Sequence, residues 1–372
     1  MRAGLLSLSG YNTRAVVALC RWAATAGVPV HLVGKAGADP IAHTAYGSHR
    51  VLLREHHALS VDDIAGWVTT LRATHGYDRV LLVPSAEFFN RVVLTHRDAL
   101  EAIGALVPLV DESLYRQLSD KEAFTRLCTQ HGIAVPASMS TPPADGPFVA
   151  KPRTYGISRA GRVKPYLVLD STERSRFTAN ESPDAYFYQE YVEGSSVYLL
   201  LHVARNGTVT AIAQENLLQQ RDGGSVILAR AHTFHESAEA DAYVRMLRGI
   251  GFHGLIMIEV RQCRRTGRAV MIEANPRLWG PMQFTLDRGV DLFTPWLADY
   301  GVATDVPRPA SEPLPYYFWS GGLGPAGQPV TYHAFTAESF VAEYARIAAC
   351  DLFARPDTLA LHRAELLASA AS

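Results

Sequence analysis

Two apolar runs near the middle of the chain each lead into a glutamate. Gly254-Leu255-Ile256-Met257-Ile258 runs into Glu259, and Met271-Ile272 runs into Glu273-Ala274-Asn275-Pro276-Arg277. The hydrophilic stretch between them, Arg261 to Arg268, carries Thr266-Gly267, so the two runs read as the strands of an antiparallel hairpin. Pairing symmetric about position 266 sets Glu259 opposite Glu273, where two like charges destabilise a ladder. Something cationic is therefore expected between them. Period two places Glu273, Asn275 and Arg277 on one face, so oxygen donors and a guanidinium converge. Hard divalent cations such as Mg²⁺ take a few carboxylates completed by phosphates and water. The alternative reading pairs the acids with Arg261, Arg264, Arg265 or Arg268.

At 372 residues the chain is long for one small core, and two or three domains are expected. A hydrophobic fraction of 48% with 19% charged residues fits a soluble globular protein rather than a disordered one. A net charge of -1 offers no global field for nucleic acid or an anionic membrane. Cys20, Cys128, Cys263 and Cys350 form no C-x-x-C pair, which argues against a zinc ribbon or disulfide scaffold and for a cytoplasmic protein. Arg21 breaks the apolar run from Ala15 and no cleavage pattern follows, so no signal peptide is expected. Nowhere do about 18 apolar residues run uninterrupted, so no membrane span is expected either.

Residues 1 to 118 alternate strand and helix. Leu5 to Leu8, Val30 to Val33 and Val80 to Val83 read as strands, Thr13 to Ala26 as a helix closed by Gly27, and Val61 to His75 as another helix. Such alternation implies a mostly parallel sheet covered on both faces. Ligands of these sheets gather beyond the carboxyl ends of strands. Ser9 to Arg14 and Pro84 to Glu87 are thus either ligand loops or helix caps. Ser119 to Gly132 reads as a helix with a capping box between Ser119 and Glu122. Strands follow at Phe148 to Lys151, Tyr166 to Leu169 and Tyr186 to Gln189, with a helix from Thr172 to Thr178. Further strands at Val197 to Val203, Val209 to Ala213 and Val226 to Ala229 precede a helix from Ser237 to Gly249 and the hairpin. Seams are expected near 118, 190 and 302, giving units 1–118, 119–190 and 191–301 and a helical extension 302–372.

Several motifs are set aside. Gly322 to Gly327 fits G-x-G-x-x-G, but Pro325 and Pro329 start no helix, and no P-loop, G-x-S-x-G or H-E-x-x-H is present. The basic residues between 153 and 164 lack the aromatic interleaving of a nucleic-acid surface.

Lys151 closes a strand ahead of Pro152-Arg153-Thr154-Tyr155-Gly156-Ile157-Ser158. An ammonium beside a Gly/Ser segment can hold phosphate oxygens while backbone N–H groups cradle them; an ordinary strand exit is the other reading. Gln189-Glu190-Tyr191-Val192-Glu193-Gly194 can present backbone groups to a purine edge, or serve as a plain interdomain strand. The order Lys121, Lys151, Gln189 to Gly194, Glu259, Glu273-x-Asn275-x-Arg277 resembles the ATP-grasp superfamily over roughly residues 1 to 300. Asn275-Pro276-Arg277-Leu278-Trp279-Gly280, continuing to Gly289-Val290-Asp291, is similar to its ligase-type members.

The resemblance implies an α/β and α+β architecture. A doubly wound N-terminal (pre-ATP-grasp) domain would precede a central lid lobe and a C-terminal lobe that clamp ATP. It implies ATP and Mg²⁺, or Mn²⁺, as cofactors. Lys121 and Lys151 would take the phosphates, with Gly156 and Ser158 on the covering loop. Gln189, Glu190, Tyr191, Val192 and Glu193 would take the adenine and hinge region. Glu259, Glu273 and Asn275 would hold the metal, and Lys151, Asn275 and Arg277 would act on the transferred phosphoryl group. Many members bind ribose with an acid two positions after the hinge glycine; here that position is Ser196, so its hydroxyl or Glu193 takes the task.

The implied reaction activates a substrate carboxylate as an acyl phosphate and joins it to an amine, as in amino acid and peptide ligases, with catalysis by positioning and electrostatics. Asn12, Arg14, Ser85, Glu87, Trp279 and Arg288 are expected around the substrate. A thiol on an acidic carrier protein, bicarbonate, and a non-catalytic ATP-binding role stay open as alternatives. A homodimer is also open. No nucleic acid or membrane partner is expected.

Overall fold

The computed structural model describes every residue except 55–58, 154–164, 222, 306–311, 325–329, 334 and 372. The expected covering-loop residues Gly156 and Ser158 lie outside the described residues. Among the described residues no helix is long and apolar enough to cross a membrane.

The N-terminal alternation folds into a five-stranded parallel sheet of order β3-β2-β1-β4-β5, with β1 Ala3–Leu8, β2 Val30–Lys35, β3 Arg50–Arg54, β4 Arg79–Leu82 and β5 Ala105–Leu106. All six residues of β1 are buried, as befits a central strand covered on both faces. Helix Thr13–Ala26 stops where Gly27 turns left-handed at φ 66°. Helix Val61–His75 starts on a capping box between Ser60 and Asp63.

Strand order reverses at β1, so the loops after β1 and β4 flank a crevice at a topological switch point. The chain itself fills that crevice. The Leu278 N–H donates to the Pro84 carbonyl at 2.9 Å, and Asn12 Nδ2 donates to the Leu278 carbonyl at 3.1 Å. Asn12 is the one non-glycine with positive φ among the described residues, at 47°, a conformation asparagine tolerates better than most.

The second sheet, β6-β9-β7-β8, is antiparallel and comprises β6 Ser138–Met139, β7 Phe148–Pro152, β8 Tyr166–Val168 and β9 Tyr186–Glu190. Helix Ser171–Asn180 covers it, burying Phe177 edge-to-face against Phe148, Tyr166 and Tyr186. The Tyr166 and Tyr186 hydroxyls both donate to buried Glu181, each at 2.7 Å.

The third sheet is antiparallel, of order β14-β13-β10-β11-β12-β15 with β16 added to β11. Its strands are β10 Gly194–Val203, β11 Val209–Gln220, β12 Val226–His232, β13 Gly254–Cys263, β14 Ala269–Asn275, β15 Tyr316–Phe318 and β16 Val330–Tyr332. One apolar cluster joins it to the first sheet. Leu118 of helix Glu112–Ser119 and Phe124 and Leu127 of helix Lys121–Gln130 pack with Val197, Leu199 and Leu201 of β10.

Two expectations are corrected here. The tail after 302 is helical at Ala337–Ala342, Tyr344–Ala348 and Leu359–Ala371, but it first gives β15 and β16 to the third sheet. Ser119 ends one helix instead of starting the next, which is capped by Asp120 without a side-chain bond. The capping box does not form because Arg91 holds both Asp120, at 2.7 Å, and the Ser119 hydroxyl, at 3.2 Å. Glu122 pairs with Arg126 and Arg153.

Where β9 hands over to β10, the backbone of Gly194 lies so close to β13 that a Cβ would stand 1.9 Å from the Gln262 carbonyl oxygen. We expect Gly194→Ala to lower stability by about 1–3 kcal/mol through overpacking. This would be read as a lower urea midpoint at unchanged slope. Gly249→Ala, where a Cβ meets nothing within 4 Å, is the matched control and should not lower the midpoint.

Candidate functional site

The β13–β14 ladder pairs Met257 with Asn275, Ile258 with Ala274 and Glu259 with Glu273, as the symmetric hairpin requires. Beyond the acids the register shifts, Val260 facing Met271, and Ile272 is left as the extra residue of a bulge. The bulge has a chemical consequence. The freed Ile272 carbonyl accepts from Lys151 Nζ at 2.7 Å, while the Met271 N–H donates to the Ala134 carbonyl at 2.8 Å.

The two carboxylates are compensated differently. Glu273 forms an ion pair with Lys121, the first residue of its helix, and accepts from Asn275 Nδ2 at 2.9 Å. Asn275 Oδ1 in turn accepts from Arg277 Nη2 at 2.9 Å. Burial works against the Glu273 charge, but Lys121 and the Asn275 bond outweigh it and bring the carboxyl down to about 2. Glu259 accepts from the Ser196 hydroxyl at 2.9 Å and has a guanidinium, Arg261, only at 3.7 Å. Burial therefore pushes its carboxyl up, with the Glu273 charge adding to the rise. Ser196 is oriented by Asn216 Nδ2 at 2.8 Å, and Asn216 by Gln214 Nε2 at 2.7 Å. Lys151 is buried on β7; burial, and then the Lys121 charge, bring its ammonium down to about 7 against the pull of Glu273 and Glu259.

These groups line a cavity of 100 Å³ between the second and third sheets, bounded by Lys151, Gln189 to Val192, Glu259 and Glu273. Apolar Val149 and Leu167 form part of its wall. The backbone N–H and C=O groups of Tyr191 and Val192 lie outside the strands and have no partner among the described residues. The Gln189 side chain is fully buried, its Oε1 unpartnered among the described residues. Glu193 is exposed, pairs with Arg264, and lines another cavity, of 490 Å³, which Glu190, Tyr191 and Val192 also line. The Ser196 hydroxyl is engaged with Glu259 and Asn216.

A larger cavity of 410 Å³ meets the first at Glu273, Tyr198, Pro165 and Gly223. Asn12, Arg14, Glu87 and Trp279 line it, together with Lys121, Asn275 and Arg277. Glu87 is held by the Tyr115 hydroxyl at 2.7 Å and Arg91 at 2.8 Å, with Arg277 3.9 Å away. Two expected substrate residues are not on its wall. Ser85 is buried behind Asn12, whose Nδ2 approaches its carbonyl at 3.5 Å. Arg288 ends helix Met282–Asp287 and donates to the Leu314 carbonyl at 3.2 Å.

Sequence reasoning missed Tyr198, Tyr317 and Trp319. Tyr198 pairs with Glu259 across β10 and β13, so pairing those two strands on the sequence would have found it. Arg14 Nη1 donates to the Val226 carbonyl at 2.8 Å and the Tyr317 hydroxyl at 3.1 Å, and its guanidinium lies 4.2 Å over the Trp319 ring. Trp319 Nε1 donates to Glu365 at 3.0 Å. Gly280 makes room for this group, since a Cβ there would stand 2.6 Å from Arg14 Nη2.

Among the described residues no cluster of three or more His, Cys, Asp or Glu is positioned to hold a metal. A metal at the hairpin would therefore rest on two carboxylates and the Asn275 amide, with further oxygens from a ligand and water. That set suits Mg²⁺.

No family model matches the sequence, and no curated protein does. Solved structures do. The chain is similar to the biotin carboxylase domain of Hydrogenobacter thermophilus 2-oxoglutarate carboxylase, solved as a dimer with MgADP, ADP and bicarbonate, at 13% identity and TM-score 0.54, covering 80% of this chain and 69% of that one. It is similar to biotin carboxylase from Campylobacter jejuni in its β-γ-ATP complex, at 12% identity and TM-score 0.55, covering 80% and 71%. N5-carboxyaminoimidazole synthetase from Staphylococcus aureus gives 13% identity and TM-score 0.57, covering 82% and 78%. At these identities the likeness is one of fold. The chain is built on the ATP-grasp fold, as its motifs implied.

Behind Trp319, burial lifts the Glu365 carboxyl from 4.5 to about 7; Asp351 adds to the rise, and the Trp319 bond and Arg14 oppose it. Folding then takes up a proton between those values, and the stability present at low pH is lost as pH rises through about 7. Glu365→Gln should match the parent urea midpoint at about pH 4.5 and exceed it above about pH 8. A variant with a constant offset at both pH values would contradict this.

Proposed function

We propose that this chain is an ATP-dependent ligase that activates a substrate carboxylate as an acyl phosphate and passes it to an amine. The observation that carries the reading is the Glu259–Glu273 pair at the seam of two sheets, with Lys121 and Lys151 entering from two other elements. Glu259 is a buried carboxyl short of a close cation, and Asn275 Oδ1 keeps a second lone pair beyond its bond to Arg277. Both features fit a divalent cation held by Glu259, Glu273 and Asn275. Such a metal supplies Lewis-acid neutralisation of phosphate charge when bound. The fold's other bearers, solved with MgADP or a β-γ-ATP ligand, support ATP and Mg²⁺ as the cofactors.

The remaining work falls to the chain's own groups. The peptide between Tyr191 and Val192, unpartnered among the described residues, would meet the adenine edge, and Val149 and Leu167 would give the ring apolar walls. Lys151 is desolvated in the cleft, and phosphate oxygens beside its Nζ would restore a firm ammonium. Lys121 provides a second point charge for the phosphates. Arg277, fixed by Asn275 and by its bond to the Leu278 carbonyl, faces the larger cavity and offsets charge on the transferring group. Carboxylate and amine meet at the junction of the two cavities, beside Glu273. Ser196 acts by aiming Glu259, which leaves ribose recognition to the hinge.

Glu273→Gln and Glu259→Gln should each slow ADP release by at least about 100-fold, as losses of preorganised electrostatic groups do. Ser196→Ala should cost roughly 10-fold, the lower end for a residue behind a metal ligand. The assay is Mg-ATP with a panel of carboxylic acids and amines. Activity retained in Glu273→Gln would sink the metal assignment, and ADP release driven by bicarbonate without any amine would overturn the amine acceptor.

A further inference from the structure

Among the described residues the cavity of 410 Å³ is lined by three cations, and two of them are spoken for. Lys121 pairs with Glu273, and Arg277 has Glu87 at 3.9 Å. Arg14 has no carboxylate within 4.0 Å among the described residues. Its Nη1 is used by the Val226 carbonyl and the Tyr317 hydroxyl, while Nε and Nη2 have no partner among the described residues. Neither nitrogen is among the buried unsatisfied atoms, so the open edge of the guanidinium meets the cavity. The rest of the group is held in place by the Trp319 ring on its face and by the space left at Gly280. A guanidinium locked on one edge and open on the other is preorganised for a planar anion, because Nε and Nη2 match the two oxygens of a carboxylate.

Its position sets what the anion belongs to. The neighbours that anchor Arg14 stand on β12 and β15, while Glu273 stands on β14 at the opposite end of the strand order. Between β14 and β12 lie four strand spacings, about 19 Å between backbones before side chains reach inward. Met257, Val226 and Trp279 give the space between an apolar lining.

We infer that the substrate of this cavity is a small bifunctional acid whose non-reacting carboxylate docks on Arg14 while its reacting group lies beside Glu273 and Arg277. Only the identity of the reacting end rests on the ligase reading; the docking of a carboxylate on Arg14 does not. The volume limits the molecule to the small end of ligand-binding pockets, which suits an amino acid or a short dicarboxylate.

The test uses the full chain and a panel of amino acids and four- to six-carbon dicarboxylates, each beside its mono-amide. Binding is measured by calorimetry and by the shift in melting temperature, and ADP release is measured separately. At least one free acid should bind and its mono-amide should bind far more weakly. Arg14→Met should weaken the free acid roughly 10- to 100-fold, the range for losing a charge-assisted hydrogen-bonded pair, and erase the preference over the amide. Arg14→Lys should retain part of the affinity. If Arg14→Met does not fold, Gly280→Ala displaces the guanidinium while keeping its charge and should weaken the same acid. Equal binding of acid and amide, unchanged affinity in Arg14→Met, or no binding by any acid of the panel would overturn the inference. Failure of Mg-ATP to bind, with acid binding still dependent on Arg14, would sink the ligase reading and leave this one standing.

Discussion

Two carboxylates facing each other across one rung of a β-ladder cost stability twice, through like-charge repulsion and through burial. The pair persists here because its two members are treated differently. Glu273 is given a full ammonium and an amide N–H and stays charged. Glu259 is given a hydroxyl and a distant guanidinium, and its carboxyl is pushed toward the neutral form. Lys151 is the counterpart on the cationic side. Among the described residues its ammonium hydrogen-bonds only to a backbone carbonyl, and burial weakens its hold on a proton. Without ligand, the cleft therefore holds one satisfied ion pair and two half-satisfied ionisable groups of opposite sign, a combination suited to a polyanion arriving with a divalent cation.

The three sheets can be understood from that requirement. The third sheet supplies both acids and the serine that orients one of them. The second sheet supplies Lys151 on β7, and the helix between the first and second sheets supplies Lys121. Gln189 to Gly194 has to run close past β13 to connect the second sheet to the third, which is why a Cβ has no room at 194. The bulge at Ile272 belongs to the same arrangement, since a regular ladder would have engaged the carbonyl that now receives Lys151.

What could be read from the sequence was what is encoded locally. The acidic hairpin, the Asn-x-Arg run and the strand ends at Lys151 and Gln189 follow from period-two patterns and turn residues, and the structure brings them together at one cleft. Features set by distant neighbours were not readable. The bulge depends on Ala134 taking the Met271 N–H. The capping box at Ser119 has the right local residues, but Arg91, some thirty positions earlier, claims both Ser119 and Asp120. β15 and β16 are three residues each, too short to show any period. Arg288 is expected near the substrate, yet the short helix Met282–Asp287 carries it away from the cavity to the Leu314 carbonyl. Tyr317 and Trp319 come from the far end of the chain, and only the folded molecule sets them against Arg14.

The first sheet presents the sharpest contrast between topology and use. Doubly wound sheets bind ligands in the crevice where strand order reverses, and here Leu278 occupies that crevice, bonded to Pro84 and Asn12. The segment that enters it continues directly from Glu273 and Asn275. Seating Leu278 fixes the positions of Arg277 on one side and of Trp279 and Gly280 on the other. Arg277 then lies beside the acids, and Gly280 leaves the gap into which Arg14 of the first helix fits. The first sheet and its helix thus contribute to the site by gripping the strand end that carries Glu273 and Asn275 and by sending one arginine back over it. That coupling explains why the site carries its left-handed asparagine at residue 12, far in sequence from every carboxylate that the hairpin presents.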